Sequence, residues 1–332
     1  MDEQWTVSVI GAGRMGRGIA HVFAYSGYKV HLVDIKQRNE DGKQQIKKEA
    51  LQEIESNMTF LSSVNVLDEN QISVITDRIF FHHAEELEKA VMNADIIFEA
   101  VPEVIDVKKD AFQKVSRYAN DAAILASTTS TFLVDEIAQF VERPERFLNT
   151  HWLNPAYLIP LVEVSPSEKT DEKVLQQTRE LLEAVGKVPV TCAASPGFIV
   201  PRLQALTMNE AARLAEEGVA SVEEIDKAAR VGFGLRFAVL GLLEFVDWGG
   251  GDILYYASHY LKDSLNDDRF SPPDVISENM KSGDIGMKSG KGFYDFNEVN
   301  VTEYQKQTIV KFVDLLNHLG FIRPPATSKS II

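Results

Sequence analysis

Three glycines within six residues, Gly11-Ala12-Gly13-Arg14-Met15-Gly16, follow the apolar run Val7-Ser8-Val9-Ile10 and open a stretch in which Met15, Ile19, Val22 and Phe23 recur at helical spacing. That order leaves the chain few ways to fold. The apolar run reads as a buried strand, and the periodic stretch reads as a helix closed by Gly27. Between them, Gly11 permits a tight turn, Gly13 admits a phosphate close to the backbone, and Gly16 lets helix and strand pack tightly. The free N–H groups of a helix that starts here point at an anion. Glycine turns between strand and helix also occur without a ligand, so the pattern needs support. Asp34 supplies it, closing the next apolar run about 20 residues on, where an acid bonds the adenine ribose of a dinucleotide. The alternative for Asp34 is a solvated charge at a strand end. A carboxylate here repels a 2′-phosphate, which makes NAD rather than NADP the expected cofactor, while Lys36 and Arg38 nearby soften that repulsion. Arg14 and Met15 join the three glycines and Asp34 as expected cofactor-site positions.

The rest of the first half alternates short apolar runs with amphipathic stretches, the pattern of a parallel sheet covered by helices. Val30–Val33, Ile96–Phe98, Ile124–Ala126, Phe147–Asn149, Leu161–Val164 and Val188–Val190 read as strands. Ile46, Ala50, Ile54, Met58 and Leu61 share one face of a long helix, and Asp68 is expected to cap a second. Together they read as an antiparallel hairpin leaving the sheet. Small residues from Thr191 to Gly197 suit a linker, and helical periodicity takes over beyond it, with Ile199, Leu203 and Leu206 on one stripe. Ser221 with Glu224 forms a capping box, and Gly232 is expected to end that short helix. The expected architecture is therefore α/β: a Rossmann-type doubly wound sheet in residues 1–195 with an inserted helical hairpin. An all-α substrate and dimerisation domain in 196–323 and a disordered tail, 324–332, complete it.

Charge narrows the partners. With 34 basic and 49 acidic residues the formal charge is -15, which repels nucleic acid and anionic lipid. Met1-Asp2-Glu3-Gln4 is acidic where a secretion signal needs positive charge, and no apolar run approaches the ~18 residues of a membrane span, so a cytoplasmic location is expected. Cys192 is the single cysteine, which rules out an intrachain disulfide; it reads as a small buried hydrophobe. His82-His83 has no companion ligand set and reads as a surface strand, so no metal site is expected.

Catalytic chemistry concentrates in His151-Trp152-Leu153-Asn154-Pro155-Ala156-Tyr157-Leu158-Ile159-Pro160-Leu161-Val162-Glu163-Val164. A neutral imidazole takes a proton from a hydroxyl, and a nearby carboxylate stabilises the imidazolium that results. A single histidine is more often a satisfied core residue. Glu163 resists that reading, because a carboxylate within an apolar strand is costly unless paired, and His151 is its natural partner.

These pieces resemble the L-3-hydroxyacyl-CoA dehydrogenase family from about Val7 to Phe296. The resemblance rests on the glycine turn, Phe98-Glu99-Ala100-Val101-Pro102-Glu103, Ser127-Thr128-Thr129-Ser130-Thr131, the His151–Glu163 run, Pro196-Gly197-Phe198-Ile199-Val200 and Gly290-Lys291-Gly292-Phe293-Tyr294, in the family's order and spacing. It implies that His151 is the general base and Glu163 its partner, that Ser130 bonds the reacting oxygen, and that Asn154 is a supporting amide. It also implies that Glu99 and Ser127 lie at the cofactor, and that the protein is a homodimer. Apolar stripes such as Leu240, Leu242, Leu243, Phe245 and Val246 agree with a twofold partner. Gly249-Gly250-Gly251 implies a tight backbone approach.

Three departures bear on the substrate. Pro201 stands where acyl-CoA members carry an asparagine, and Tyr157 and Pro160 look more like members acting on free acids such as carnitine or gulonate. No Lys or Arg occurs between Lys48 and Arg78, where acyl-CoA members meet the CoA phosphates; only Lys43, Lys47 and Lys48 lie near. Against this, Ile285 to Tyr294 resembles the CoA-using branch. The expected function is an NAD-dependent dehydrogenase of a small free 3-hydroxy acid. The alternatives are a 3-hydroxyacyl-CoA dehydrogenase, a dehydrogenase of a hydroxymethyl or formyl pyridine carboxylate, and a non-catalytic crystallin-like or NAD-sensing protein. The last has no need of Ser130, His151, Asn154 and Glu163 together.

Overall fold

The computed structural model describes residues 5–323 and 325, so the acidic N-terminus and nearly all of the expected tail lie outside the described residues. The chain divides into two compact units, Met1–Thr207 and Met208–Ile332.

In the first unit, β1 (Val7–Ile10), β2 (Val30–Asp34), β3 (Ile79–His83), β4 (Ile96–Glu99), β5 (Ile124–Ser127), β6 (Phe147–Trp152), β7 (Leu161–Pro166) and β8 (Val188–Thr191) form one sheet. Their order is β3-β2-β1-β4-β5-β6-β7-β8. Every neighbouring pair is parallel except β6 with β7. Apolar side chains alternate between the two faces. Val7, Val9, Ile96 and Phe98 join one core with Ile19 and Phe23, while Ile10, Val33 and Ile97 join a second with Phe112 and Phe147. This is why the strands read as continuous apolar runs: both faces are buried beneath helices.

The first helix, α1 (Arg14–Tyr25), and the long α2 (Glu40–Ser63) cover the first face. Ala50, Ile54, Met58 and Leu61 are buried, as their spacing predicts, so the second half of α2 packs into the core rather than leaving the sheet. Arg17 joins the two helices through an ion pair with Glu53 at 2.5 Å. The next helix, α3 (Gln71–Thr76), starts later than expected and is not capped by Asp68; instead the Asp68 amide donates to the Gln71 side chain at 3.0 Å. Beyond it lie α4 (Leu87–Val91), α5 (Ile105–Ser116), α6 (Val134–Ala138) and α7 (Glu172–Ala184), and α8 (Val200–Glu216) crosses from one unit into the next. Pro201 sits in the first turn of α8, where its missing N–H is no loss.

β3 is the edge strand, yet His82 is only 4% exposed: its ring stacks on His31, and the two share a 2.8 Å contact between Nδ1 of His31 and Nε2 of His82. The expected surface position of His82 is thus corrected, because a neighbouring strand supplies a partner that the linear sequence does not reveal. Cys192 is half-buried rather than fully buried, and burial, followed by the Glu163 charge, pushes its thiol up.

The second unit is helical. Ser221 caps α9 (Val222–Ala228) as expected, its hydroxyl accepting the Glu224 amide at 3.4 Å. Gly232 does not end the helix, which continues as a π turn, Ala229–Gly234, into α10 (Leu235–Phe237). Next come α11 (Leu242–Gly249), α12 (Gly251–Leu265), α13 (Asp274–Ser282) and α14 (Val301–His318). Gly250 turns the chain between α11 and α12 with φ 110°, and the Gly251 amide donates to the Ile285 carbonyl at 2.8 Å, which is the close approach implied by the three glycines. Asp247 is buried and accepts the amides of Phe293 and Tyr294 at 3.0 and 2.8 Å. A Cβ on Gly292 would lie 2.1 Å from its Oδ1, so the Gly290–Tyr294 run is shaped around that carboxylate.

Candidate functional site

Sheet register places the candidate residues along one edge. Ile10 pairs with Val33 and with Glu99, Glu99 with Ser127, and Ser127 with Asn149, so β1, β4 and β5 end level, β2 ends one residue later, and β6 runs on past them to Trp152, carrying His151 beyond that line. Strand order reverses between β1 and β4, and in open α/β sheets such a point opens a crevice for a ligand.

The glycine turn lies at that point. Gly11 has φ 117°, and a Cβ there would come 2.4 Å from the Ala100 carbonyl; one on Gly16 would come 1.8 Å from that of Gly11. Both are therefore required by the packing of the turn. Gly13 differs, because nothing lies within 4 Å of the space its Cβ would fill. It is the N-cap of α1 and offers no side chain to the helix's first N–H groups. Arg14 and Met15 open the helix. Asp34 ends β2 buried, with Oδ2 accepting from Arg38 Nε at 2.5 Å. An open cradle over an uncapped helix start, with a carboxylate at the end of the adjacent strand, fits NAD.

Glu99 and Ser127 are drawn together inside the protein. The Ser127 hydroxyl donates to Glu99 Oε2 at 2.7 Å, and Oε1 accepts the Val101 amide at 2.9 Å. Lys108, 0% exposed, donates to both Glu99 oxygens at 3.0 and 3.2 Å and pairs with Glu103 at 3.1 Å. Glu103 in turn accepts from the Thr129 hydroxyl at 2.5 Å and from the amides of Ser130 and Thr131 at 3.0 and 2.9 Å. Burial pushes the Glu103 carboxyl up, but the Thr129 hydroxyl, the Lys108 ammonium and the Thr131 amide outweigh it and hold it below the ordinary carboxylate range. Lys108 is not among the residues that the sequence singles out, and Glu103 enters there only as the end of the Phe98–Glu103 motif, with no role. A signal exists for Lys108: it shares a helical face with Ala111, Phe112 and Val115, all buried, and a lysine on such a stripe demands an anionic partner.

His151 and Glu163 are direct partners across the antiparallel β6–β7 pair. Nδ1 of His151 lies 2.7 Å from Oε2 of Glu163. Glu163 is 0% exposed, and its Oε1 accepts the amides of Ile199 and Val200 at 2.9 and 2.7 Å, at the start of α8. Two N–H groups and the helix terminus thus hold a buried anion in place. The Phe198 ring stacks on the imidazole with centroids 5.3 Å apart and planes 17° from parallel, and Phe198 adopts φ 44° to do so. Among the described residues only Nδ1 of His151 has a hydrogen-bond partner. With Nδ1 donating to the carboxylate, Nε2 carries the basic lone pair.

Ser130 and Asn154 are both exposed and share no hydrogen bond with His151. Ser130 is positioned through its backbone by Glu103, and Asn154 precedes a cis proline in the loop that follows β6. Among the described residues no group of histidine, cysteine, aspartate and glutamate is arranged to hold a metal. None of the described helices is long and apolar enough to cross a membrane.

Comparison with known proteins gives the geometry a context. A family model for the 3-hydroxyacyl-CoA dehydrogenase NAD binding domain matches residues 6–195, and one for the C-terminal domain matches residues 197–296. A probable 3-hydroxybutyryl-CoA dehydrogenase of Bacillus subtilis is 32% identical over 293 residues, covering 88% of this chain and 97% of its own. The 5-formyl-3-hydroxy-2-methylpyridine 4-carboxylate 5-dehydrogenase of Mesorhizobium japonicum is 29% identical over 311 residues, covering 92% and 96%. Among solved structures, a 3-hydroxyacyl-CoA dehydrogenase of Archaeoglobus fulgidus superposes with a TM-score of 0.75 at 32% identity, covering 96% of this chain and 100% of its own.

Proposed function

The chain belongs to the 3-hydroxyacyl-CoA dehydrogenase family, an NAD-dependent oxidoreductase acting on CH–OH groups, and we propose that its substrate is a free 3-hydroxy acid and its base the His151–Glu163 pair. NAD, when bound, accepts the hydride. Gly11, Gly13, Gly16 and the start of α1 would hold its phosphates, and Asp34 its adenine ribose. The protein's own part in the step is a proton transfer. Nε2 of His151 takes the proton of the substrate hydroxyl, and the O–H electron pair becomes the second bond of the carbonyl. Glu163 stabilises the imidazolium and fixes the ring through Nδ1, while the stacked Phe198 keeps the ring in plane. Ser130 and Asn154 are assigned to the substrate oxygen and to the base, respectively. The observation that carries this reading is the 2.7 Å contact between His151 and Glu163 in a buried setting, with Nε2 left available.

The free-acid half rests on charge. From Glu49 to Asp77 the α2–α3 hairpin carries no cation to meet the phosphates of CoA. Lys43, at the start of α2, is already paired with Glu40 and Glu85. Tyr157 closes against α2 through its hydroxyl, 3.4 Å from Asn57 Oδ1. The second reading, a 3-hydroxyacyl-CoA substrate, is favoured by relatives such as the Bacillus subtilis protein. Incubation with acetoacetyl-CoA and NADH separates the two: slow oxidation of NADH, with faster turnover on free 3-oxo acids, supports the proposal, and rapid turnover of the thioester overturns it.

A homodimer is part of the same proposal. The second unit leaves Leu243, Ile253, Tyr256 and Tyr260 exposed, more apolar surface than a lone helical unit usually keeps. A solution mass near that of one chain refutes it. A cytoplasmic location is part of the same proposal, although relatives include mitochondrial enzymes such as that of Sus scrofa.

A further inference from the structure

Between the end of α1, the end of α2 and the loop that joins β6 to β7 lies a cleft of about 230 Å³. It shares no residue with the glycine turn or with the His151–Glu163 pair. Two of its polar groups are incompletely matched among the described residues: Lys187 has no counter-ion and His21 leaves Nδ1 without a partner. Lys187 is 7% exposed, and its ammonium donates to the carbonyls of Ala156 and Ile159 at 2.5 and 2.9 Å, above the Trp152 ring. Among the described residues its hydrogen-bond partners are these two carbonyls, and no carboxylate offsets its burial. Carbonyl dipoles satisfy two of its three N–H groups but leave its charge without a counter-ion, a costly state for a cation removed from water. Burial accordingly pulls the Lys187 ammonium below its usual value.

His21 is the second group. It is 1% exposed, its Nδ1 has no partner among the described residues, and its ring stacks on Tyr157 at 4.9 Å and 18°. Burial, followed by the Lys187 charge, pushes it down to about 4, so it is a neutral ring at physiological pH. The remaining wall is largely apolar, with Leu61, Val66 and Leu158 prominent. One unpaired ammonium, one unused imidazole nitrogen and an apolar wall describe the complement of a particular kind of molecule.

We propose that this cleft binds a small monocarboxylate with an apolar body, its carboxylate on Lys187, an oxygen toward His21 and its body along Leu61, Val66 and Tyr157. A single ammonium neutralises one negative charge and no more, so inorganic phosphate is a poor match. The inference goes beyond the proposed dehydrogenase reaction and does not depend on it.

The test uses the full-length protein with histidine ring nuclei isotopically labelled, titrated with hexanoate or benzoate and observed by NMR. His21→Phe, which keeps the stack and removes the nitrogens, identifies the His21 signal. The expected result is saturable movement of that signal without movement of the His151 signal, and a melting temperature that rises with the probe. Val66→Trp places a large ring at the cleft mouth from a position 55% exposed, so the fold is retained. It should weaken hexanoate at least about tenfold, and Lys187→Met should do the same. Three outcomes overturn the proposal. They are a His21 signal unmoved up to the probe's solubility, equal binding of hexanol or inorganic phosphate, and binding lost in His151→Gln but kept in Val66→Trp. The last would place the probe in the catalytic site instead.

Discussion

His151 and Glu163 face each other on a single rung of the β6–β7 ladder, and the 2.7 Å contact between Nδ1 and Oε2 follows from that pairing. The carboxylate is shared: one oxygen holds the imidazole, and the other holds the amides of Ile199 and Val200. A buried group with so many donors is sensitive to substitution in more than one way.

His151→Gln should leave NADH binding intact while turnover falls at least about a hundredfold, within the range that positioned proton transfer contributes. Fluorescence titration of NADH beside steady-state kinetics checks both. Near-normal turnover removes His151 from the mechanism.

Glu163→Gln should lower turnover by a comparable factor with little loss of stability, because the amide oxygen still accepts from Ile199 and Val200. Glu163→Ala should also lower the urea midpoint, since each buried donor left unsatisfied costs about 1–3 kcal/mol. Equal midpoints for the two variants would contradict this account.

The glycine turn divides by the space around each residue. Gly16→Ala should unfold or markedly destabilise the first unit, because its Cβ would strike the Gly11 carbonyl. Gly13→Ala meets nothing within 4 Å and has an ordinary φ of -80°, so its melting temperature should barely change. Its NADH affinity should fall at least about tenfold, equivalent to roughly 1.4 kcal/mol. Unchanged affinity would show that the cradle over Gly13 is not where phosphate sits.

Lys108→Met leaves Glu99 and Glu103 facing each other's field without their cation. Breaking a buried pair in this way costs about 3–5 kcal/mol. Chemical denaturation should show that loss, and Glu99→Gln in the same background should recover part of it.

Acid should weaken the fold through two histidines. His21 is pushed down to about 4 by burial and the Lys187 charge, and His31 to about 4 by burial and the charges of His82, Lys89 and Lys29. Both rings are neutral when folded and take up protons near their ordinary value of 6.5 when unfolded. Their contribution to stability is present above pH 6.5 and is lost as pH falls toward 4. Denaturation midpoints across that window should fall less steeply for His21→Phe than for the parent chain.

Much of this is legible from residues alone. Most strand positions follow from apolar runs, because a sheet covered on both faces leaves little polar alternation to blur them. But β6 runs on past its expected end at Asn149 to Trp152, and the apolar start of edge strand β3, Ile79–Phe81, is not read as a strand. The buried face of α2 follows from the spacing of Ala50, Ile54, Met58 and Leu61. The His151–Glu163 pair follows from the cost of placing a carboxylate in an apolar strand. What escapes is mostly tertiary. His82 is buried by His31, which is distant in sequence, and Lys108 is neutralised by acids whose inward orientation no local pattern encodes. Helix ends are the other weakness: Gly232 carries enough conformational freedom to stop a helix, yet the chain passes through it in a π turn.

The loop between Trp152 and Leu161 hangs from the rung that sets His151 and Glu163 opposite each other. That loop is itself tied down, with Ala156 in the core and the carbonyls of Ala156 and Ile159 accepting from Lys187. Loosening the loop at Lys187 therefore pulls on the two strand ends, at Trp152 and Leu161, from which the rung is only one and two residues away.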